Sequence, residues 1–209
     1  MGLAASDAAV PPWGLVPAET AALLRRHQHD LAAEIIGEVE AQVPEFGWRD
    51  APDRRAAMVE ATREGVAEFA VLLTGSAQCW PRPLLDRFAA AGAREARAGR
   101  GLEQLQSALR AGARAVLRWL SVQSERLRLP RSAYRAFAEA VFAALDEFAA
   151  AAAEGHRREL GRQGADRQRH RSRLLSLLTT DPPVAVEALG DVAAQADWRL
   201  PRTMAALVF

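Results

Sequence analysis

Tyr134-RAFAEAVFAALDEFAAA-Ala152 is the stretch on which the fold turns. Within it Tyr134, Ala138, Val141, Leu145, Phe148 and Ala152 follow at intervals of four, three, four, three and four, and Phe137 and Phe142 widen the stripe. That rhythm is the signature of an apolar seam running down one side of an α-helix. With Pro130 just ahead of it, the helix is expected to begin near Arg131. Tyr134, Phe137, Val141, Phe142, Leu145 and Phe148 therefore form the candidate seam, either the core line of an all-α bundle or the line along which two bundles pair.

After Ala153 the stripe ends, yet helix-compatible residues continue from Glu154 to Ser172. They could span ~28 Å at about 1.5 Å per residue. Arg157, Arg158, Arg162, Arg167, Arg169 and Arg171 wet this stretch; Glu154, Glu159 and Asp166 interleave them, and aromatic residues are absent. The reading is a solvated signalling helix and not a nucleic-acid surface. A short apolar segment, Leu174 to Leu178, meets Asp181-Pro182-Pro183, which stops a helix. A small helix from Val184 to about Ala196 follows. Met204 to Phe209 reads as a β-strand with no partner strand in the chain, so residues 179–209 are expected to be the first part of a further α/β domain.

Upstream, four more helices are expected. The first opens at Pro17, with Leu24, Leu31, Ile35 and Val39 on one side, and stops before Pro44. Glu45 to Ala51 is a turn, and Pro52 opens a second helix ending near Gly75, with Val59, Thr62, Val66, Phe69 and Leu73 inward. A third runs from the Trp80 to Pro83 turn to Ala98, broken by Gly99-Arg100-Gly101. In the fourth, Leu102, Leu105, Leu109, Gly112, Val116 and Trp119 share a face. A glycine costs about 1 kcal/mol against Ala inside a helix, so Gly112 marks a place where another helix crosses closely. The domain scheme is a flexible N-terminus at 1–16 with Trp13 packed onto the domain, a helical domain of about five helices at 17–153, and a helical linker at 154–178.

Composition narrows the chemistry. The 209 residues suffice for one substantial core. All 27 basic residues are Arg, and they nearly balance 26 acidic ones. A net charge of +1 gives no chain-wide field to gather polyanions. No apolar run approaches the ~20 residues a membrane span needs, and no secretory leader is legible, so no membrane partner and a cytoplasmic location are expected. Cys79 has no basic or His neighbour to activate it and reads as a buried or idle thiol. His27 and His29 diverge by about 200° on a helix and cannot share a metal; with His156 and His170 they read as solvated. Neither a catalytic set nor a cofactor or metal site is expected. Arg94, Arg97, Arg110 and Arg114 could pair with Glu139, Asp146, Glu147 and Glu154. Arg94, Arg114 and Trp119 could line a pocket between the fourth and fifth helices for a small-molecule effector.

Phe88-AAAGAREARAGRGLEQLQSALRAGARAVLRW-Leu120 resembles the signature of the RsbRD-type N-terminal domain of PucR/CdaR-like bacterial transcription regulators. Gly92, the run Arg97 to Gly99, Leu102, Leu105 and Arg110-Ala-Gly-Ala-Arg114 carry the likeness. Phe137-AEAVFAALDEFAAAAAE-Gly155 is similar to that domain's last core helix, and Trp198-Arg-Leu-Pro201 before an apolar strand is similar to its passage into a GGDEF-like domain. The resemblance implies a non-enzymatic sensory and dimerisation module that forms a homodimer. It also implies that DNA is bound only through a C-terminal helix-turn-helix region that this sequence does not contain.

Overall fold

A computed structural model describes residues 13, 16–44, 52–77, 79–180 and 185–199. Those residues form six helices and no strand: α1 Ala18–Gln42, α2 Pro52–Leu73, α3 Arg82–Arg97, α4 Glu103–Leu127, α5 Arg131–Leu178 and α6 Val186–Gln195. The expected turn at 45–51 and the strand at 204–209 lie outside the described residues. Two compact units divide the chain, Met1–His156 and Arg157–Phe209, and α5 contributes to both.

The first unit is an all-α bundle. Prolines open its helices: Pro17 and Pro81 hold extended cap angles ahead of α1 and α3, and Pro52 begins α2. Left-handed residues close them. Gly75 and Gly99 follow α2 and α3 at φ +71° and +67°, and Arg128 takes φ 50° behind α4. At the end of α3 the Gly99 N–H donates to the Ala96 carbonyl and the Arg100 N–H to the Glu95 carbonyl, which satisfies carbonyls the helix leaves open.

α1 packs against α2 and α4. The core is aromatic at its centre: Phe69 stacks on Trp80 with ring centroids 5.8 Å apart and meets Phe137 edge-on at 5.6 Å, while Phe148 lies between Trp80 at 4.7 Å and Phe88 at 4.2 Å. This column ties α2, α3 and α5 together, and such pairs add about 0.5–1.5 kcal/mol each beyond the area they bury. Trp13 and Val16 are buried in the same core, so its packed part begins ahead of Pro17.

Ala, rather than the large residues, marks the inner face of the helices. Over residues 131–153 of α5 the buried positions are Ala133, Ala136, Phe137, Ala140, Val141, Ala144 and Ala152. Their centre lies roughly 100° around the helix from the line through Tyr134, Ala138 and Leu145, at about 3.6 residues per turn. Tyr134 and Phe148 pack half-buried on the edge, and Phe142, 54% exposed, stands outside the core. Of the two roles expected for the seam, core line or pairing line, Phe142 is thus outside the core, because close helix contact selected the methyl side chains and turned the bulkier ring outward. α4 behaves likewise: Ala111, Ala115, Trp119 and Leu120 are buried, while Leu109 and Val116 are half-buried. On α1 it is Ile36, not Ile35, that is buried.

Two backbone contacts fix α3 on α5. A Cβ placed on Gly92 would lie 1.9 Å from the Ala152 carbonyl oxygen, and one on Gly155 would lie 1.9 Å from that of Ala89. Gly112 plays a lesser part, with room to within 3.3 Å of Ile35 Cγ2 on α1. The second unit is smaller. Leu174 of α5 packs on Val192, Ala193 and Ala196 of α6, with Leu177, Leu178 and Leu189 around them.

Replacing Gly155 by Ala should lower stability by ~1–3 kcal/mol despite the better helix propensity of Ala. Gly37→Ala, where nothing lies within 4 Å of the added methyl, should raise stability by up to about 1 kcal/mol. Urea melts of both variants check this, and a stabilised Gly155→Ala protein would contradict the close crossing. Phe137→Ala, at a fully buried ring, should cost ~3–5 kcal/mol in the same melts.

Candidate functional site

The helices place the three pocket candidates unequally. Arg114 and Trp119 lie on the side of α4 that meets α1: the Arg114 guanidinium donates to Gln42 Oε1, and the Trp119 ring lies 6.0 Å from that of His27, tilted by 58°. Arg118 adds an ion pair to Glu38 of α1 at 2.8 Å. Arg94 is exposed in the last turn of α3. The polar side of α4 thus serves the α1 interface. Core polar atoms without a protein partner lie elsewhere, at Trp13 Nε1, Thr20 Oγ1 and Trp80 Nε1.

Arg110 and Glu139, two of the residues expected to pair across the helices, make contacts within their own helices. Arg110 donates to Ser107 one turn back, at 3.1 Å, and Glu139 faces Arg135 on its own helix at 3.8 Å. Besides Arg118 with Glu38, pairs between helices include Arg55 with Glu40 at 2.6 Å, and Arg87 with Glu64. Exposed pairs of this kind contribute about 0–1 kcal/mol each.

A polar knot at the α3–α4 turn was not legible in sequence. Glu95, whose side chain is largely covered, accepts two hydrogen bonds from Arg100, at 2.7 and 3.0 Å. The Arg100 carbonyl in turn accepts from His156 Nε2 of α5 at 3.0 Å, which fixes the hydrogen on that ring nitrogen. The knot holds the turn to α5 beside the Gly92 and Gly155 contacts. Three of the four histidines therefore have defined partners, since His170 Nδ1 also donates to the Gln195 carbonyl at 3.1 Å. His29 alone keeps the solvated role expected of all four. The clue in sequence was position: His156 directly follows Gly155. Cys79 is exposed, not buried, because the chain turns there to send Trp80 inward.

Among the described residues no group of three His, Cys, Asp or Glu side chains could hold a metal ion, and no helix is long and apolar enough to cross a membrane. What the geometry offers is a long helix gripped by a bundle, with its polar groups engaged in packing. The PucR-like N-terminal domain pattern matches residues 13–179, from the buried Trp13 to the residue after α5. The chain belongs to the PucR-like N-terminal domain family. No curated protein and no solved structure matches it. The PucR-like match covers both the Gly92 and Gly155 contacts and the whole of α5, and this regulatory family is in general non-enzymatic.

The Arg100 guanidinium, hydrogen-bonded to Glu95, holds its carboxyl below the usual carboxylate range, with Arg94 and His156 adding to the effect. A lowered folded-state pKa stabilises the protein above the usual range and ceases to do so as the pH falls through it. Glu95→Gln should therefore lower the melting temperature at neutral pH and make little difference in strong acid. An equal deficit at both pH values would show that the pair is not its source.

Proposed function

We propose that this PucR-like domain is the sensory and dimerisation module of a transcription regulator. The observation that carries the reading is α5, one helix of 48 residues whose first half is built into the bundle core and whose second half continues as a polar helix to Leu178. Such an element turns a change in core packing into a shift or rotation along its own axis. The signal is passed toward a GGDEF-like middle domain and a C-terminal DNA-binding region, as the RsbRD-type likeness implies, and DNA is read there. In this reading the protein has no reaction of its own and works in the cytoplasm.

Dimerisation is assigned to the outward side of α5. The inner stripe is consumed by the bundle, whereas Phe142 remains exposed between Arg135 and Asp146, both on the outside of the same helix. An antiparallel second copy would set Arg135 of each chain toward Asp146 of the other, with the two Phe142 rings near the middle. Sedimentation of the chain should give a dimer, and Phe142→Glu should give a monomer of unchanged helicity. A monomeric wild-type chain, or a dimer indifferent to Phe142→Glu, would remove this seam.

A further inference from the structure

α5 is anchored on both sides of a middle stretch that is not. On one side Gly155 meets the backbone of Ala89, His156 Nε2 donates to the Arg100 carbonyl at 3.0 Å, and Glu159 is buried. On the other, His170 Nδ1 donates to the Gln195 carbonyl at 3.1 Å, and Leu174 is buried among Val192, Ala193 and Ala196. Between Glu159 and Leu174 no residue of the helix is buried, and residues 160–169 carry neither set of anchors. Helices in proteins draw most of their stability from a packed face, and an isolated helix shorter than about 12–15 residues is marginal in water. Residues 160–169 have no such face.

Their composition does not make up the deficit. Gly161 and Gly164 stand in the helix with nothing within 4 Å of an added methyl, unlike Gly92 and Gly155, whose crossing requires them. Each moves the helix–coil balance about fivefold toward coil relative to Ala. Gly37 and Gly65 are equally open, but Ile36 and Val66 beside them are buried and hold α1 and α2 in place. Two ion pairs support the stretch, Glu159 with Arg162 at 3.4 Å and Asp166 with Arg169. Pairs of this spacing contribute only about 1.4- to 2.3-fold each. Against them, Arg167 and Arg171, and Arg169 and Arg173, repeat one charge a turn apart.

From this we infer that residues 160–169 are a helix–coil switch built into α5, a stretch that opens and recloses while the bundle stays folded. Local opening falls where buried contacts are fewest. The flanks keep their own packing, so opening disturbs neither the aromatic core nor the contact of Leu174 with α6. A stiff rod would call for Ala at these positions, and residues 149–153 of the same helix are all Ala. The opening is a property of the chain by itself. Its consequence rests on the module reading given above: a displacement of the first half of α5 is carried past Arg169 only while the stretch is helical, and opening interrupts it.

Hydrogen exchange read by mass spectrometry on the 209-residue chain tests it. Amides of 160–169 should exchange at least about 1000-fold faster, after correction for intrinsic rates, than those of 136–152. Gly161→Ala/Gly164→Ala should slow exchange in 160–169 by about 20- to 30-fold, the product of two fivefold effects, and leave 136–152 unchanged. Gly37→Ala, in α1, should leave 160–169 as it was. Trypsin, which cuts after Arg, gives a second readout. It should cut the wild-type chain at Arg162, Arg167 or Arg169 before Arg94 or Arg135, which are exposed in the bundle, and cut the double variant there about tenfold more slowly or less. Circular dichroism should show at least as much helix in the double variant, and a loss of helix would count against the switch. Equal protection of 160–169 and 136–152, or protection unmoved by the double substitution, would overturn it. Sedimentation decides the dimer seam separately: a monomer with an open stretch would sink the seam alone, and a dimer with α5 uniformly protected the switch alone.

Discussion

The approach of α3 to α5 is the constraint on which the bundle depends. Backbone meets backbone there: the Ala152 carbonyl takes the space that a side chain at Gly92 would need, and the Ala89 carbonyl the space of one at Gly155. Because the contact is reciprocal, it fixes both the height and the rotation of α5. From that rotation follows which residues face inward. Phe137 and Phe148 reach the aromatic column of Phe69, Trp80 and Phe88, the alanines line the crossing, and Phe142 is left outside. The Glu95, Arg100 and His156 knot then secures the α3–α4 turn against the same stretch of α5.

The helices themselves were legible because their punctuation is local. Pro17, Pro52, Pro130, Gly75 and the Gly99-Arg100-Gly101 break each act through the backbone angles of one or two residues, and the elements begin and end beside them. The uninterrupted course of α5 to Leu178 was legible for the same reason, since no such signal interrupts it before the Asp181-Pro182-Pro183 run. The family was legible from the order of its small pieces, Gly92 through Arg114 and Phe137 through Gly155.

The facing of the helices was less legible. A stripe drawn through Tyr134, Ala138, Val141 and Leu145 follows the large side chains, but in a bundle this rich in Ala the closest contacts belong to methyl groups and glycines. Phe142 falls outside the core for that reason. Sequence also cannot say which neighbour a helix face meets: the Arg114 and Trp119 side meets α1. His156 and Glu159 were read from charged surroundings, yet one is tied to a backbone carbonyl of the α3–α4 turn and the other is buried. In each case a tertiary neighbour, absent from the local string, decided the outcome.

The alanine lining has a thermodynamic corollary. Ordering an Ala methyl forfeits no rotamer freedom, whereas a Leu or Met in the same place gives up about 0.5–2 kcal/mol. A bundle lined this way gains little from each contact but also loses little disorder on assembling. It is therefore held by many shallow, nearly smooth surfaces instead of a few deep interlocks. Away from the fixed crossing at Gly92 and Gly155, helices that meet across such surfaces have low barriers to small displacements.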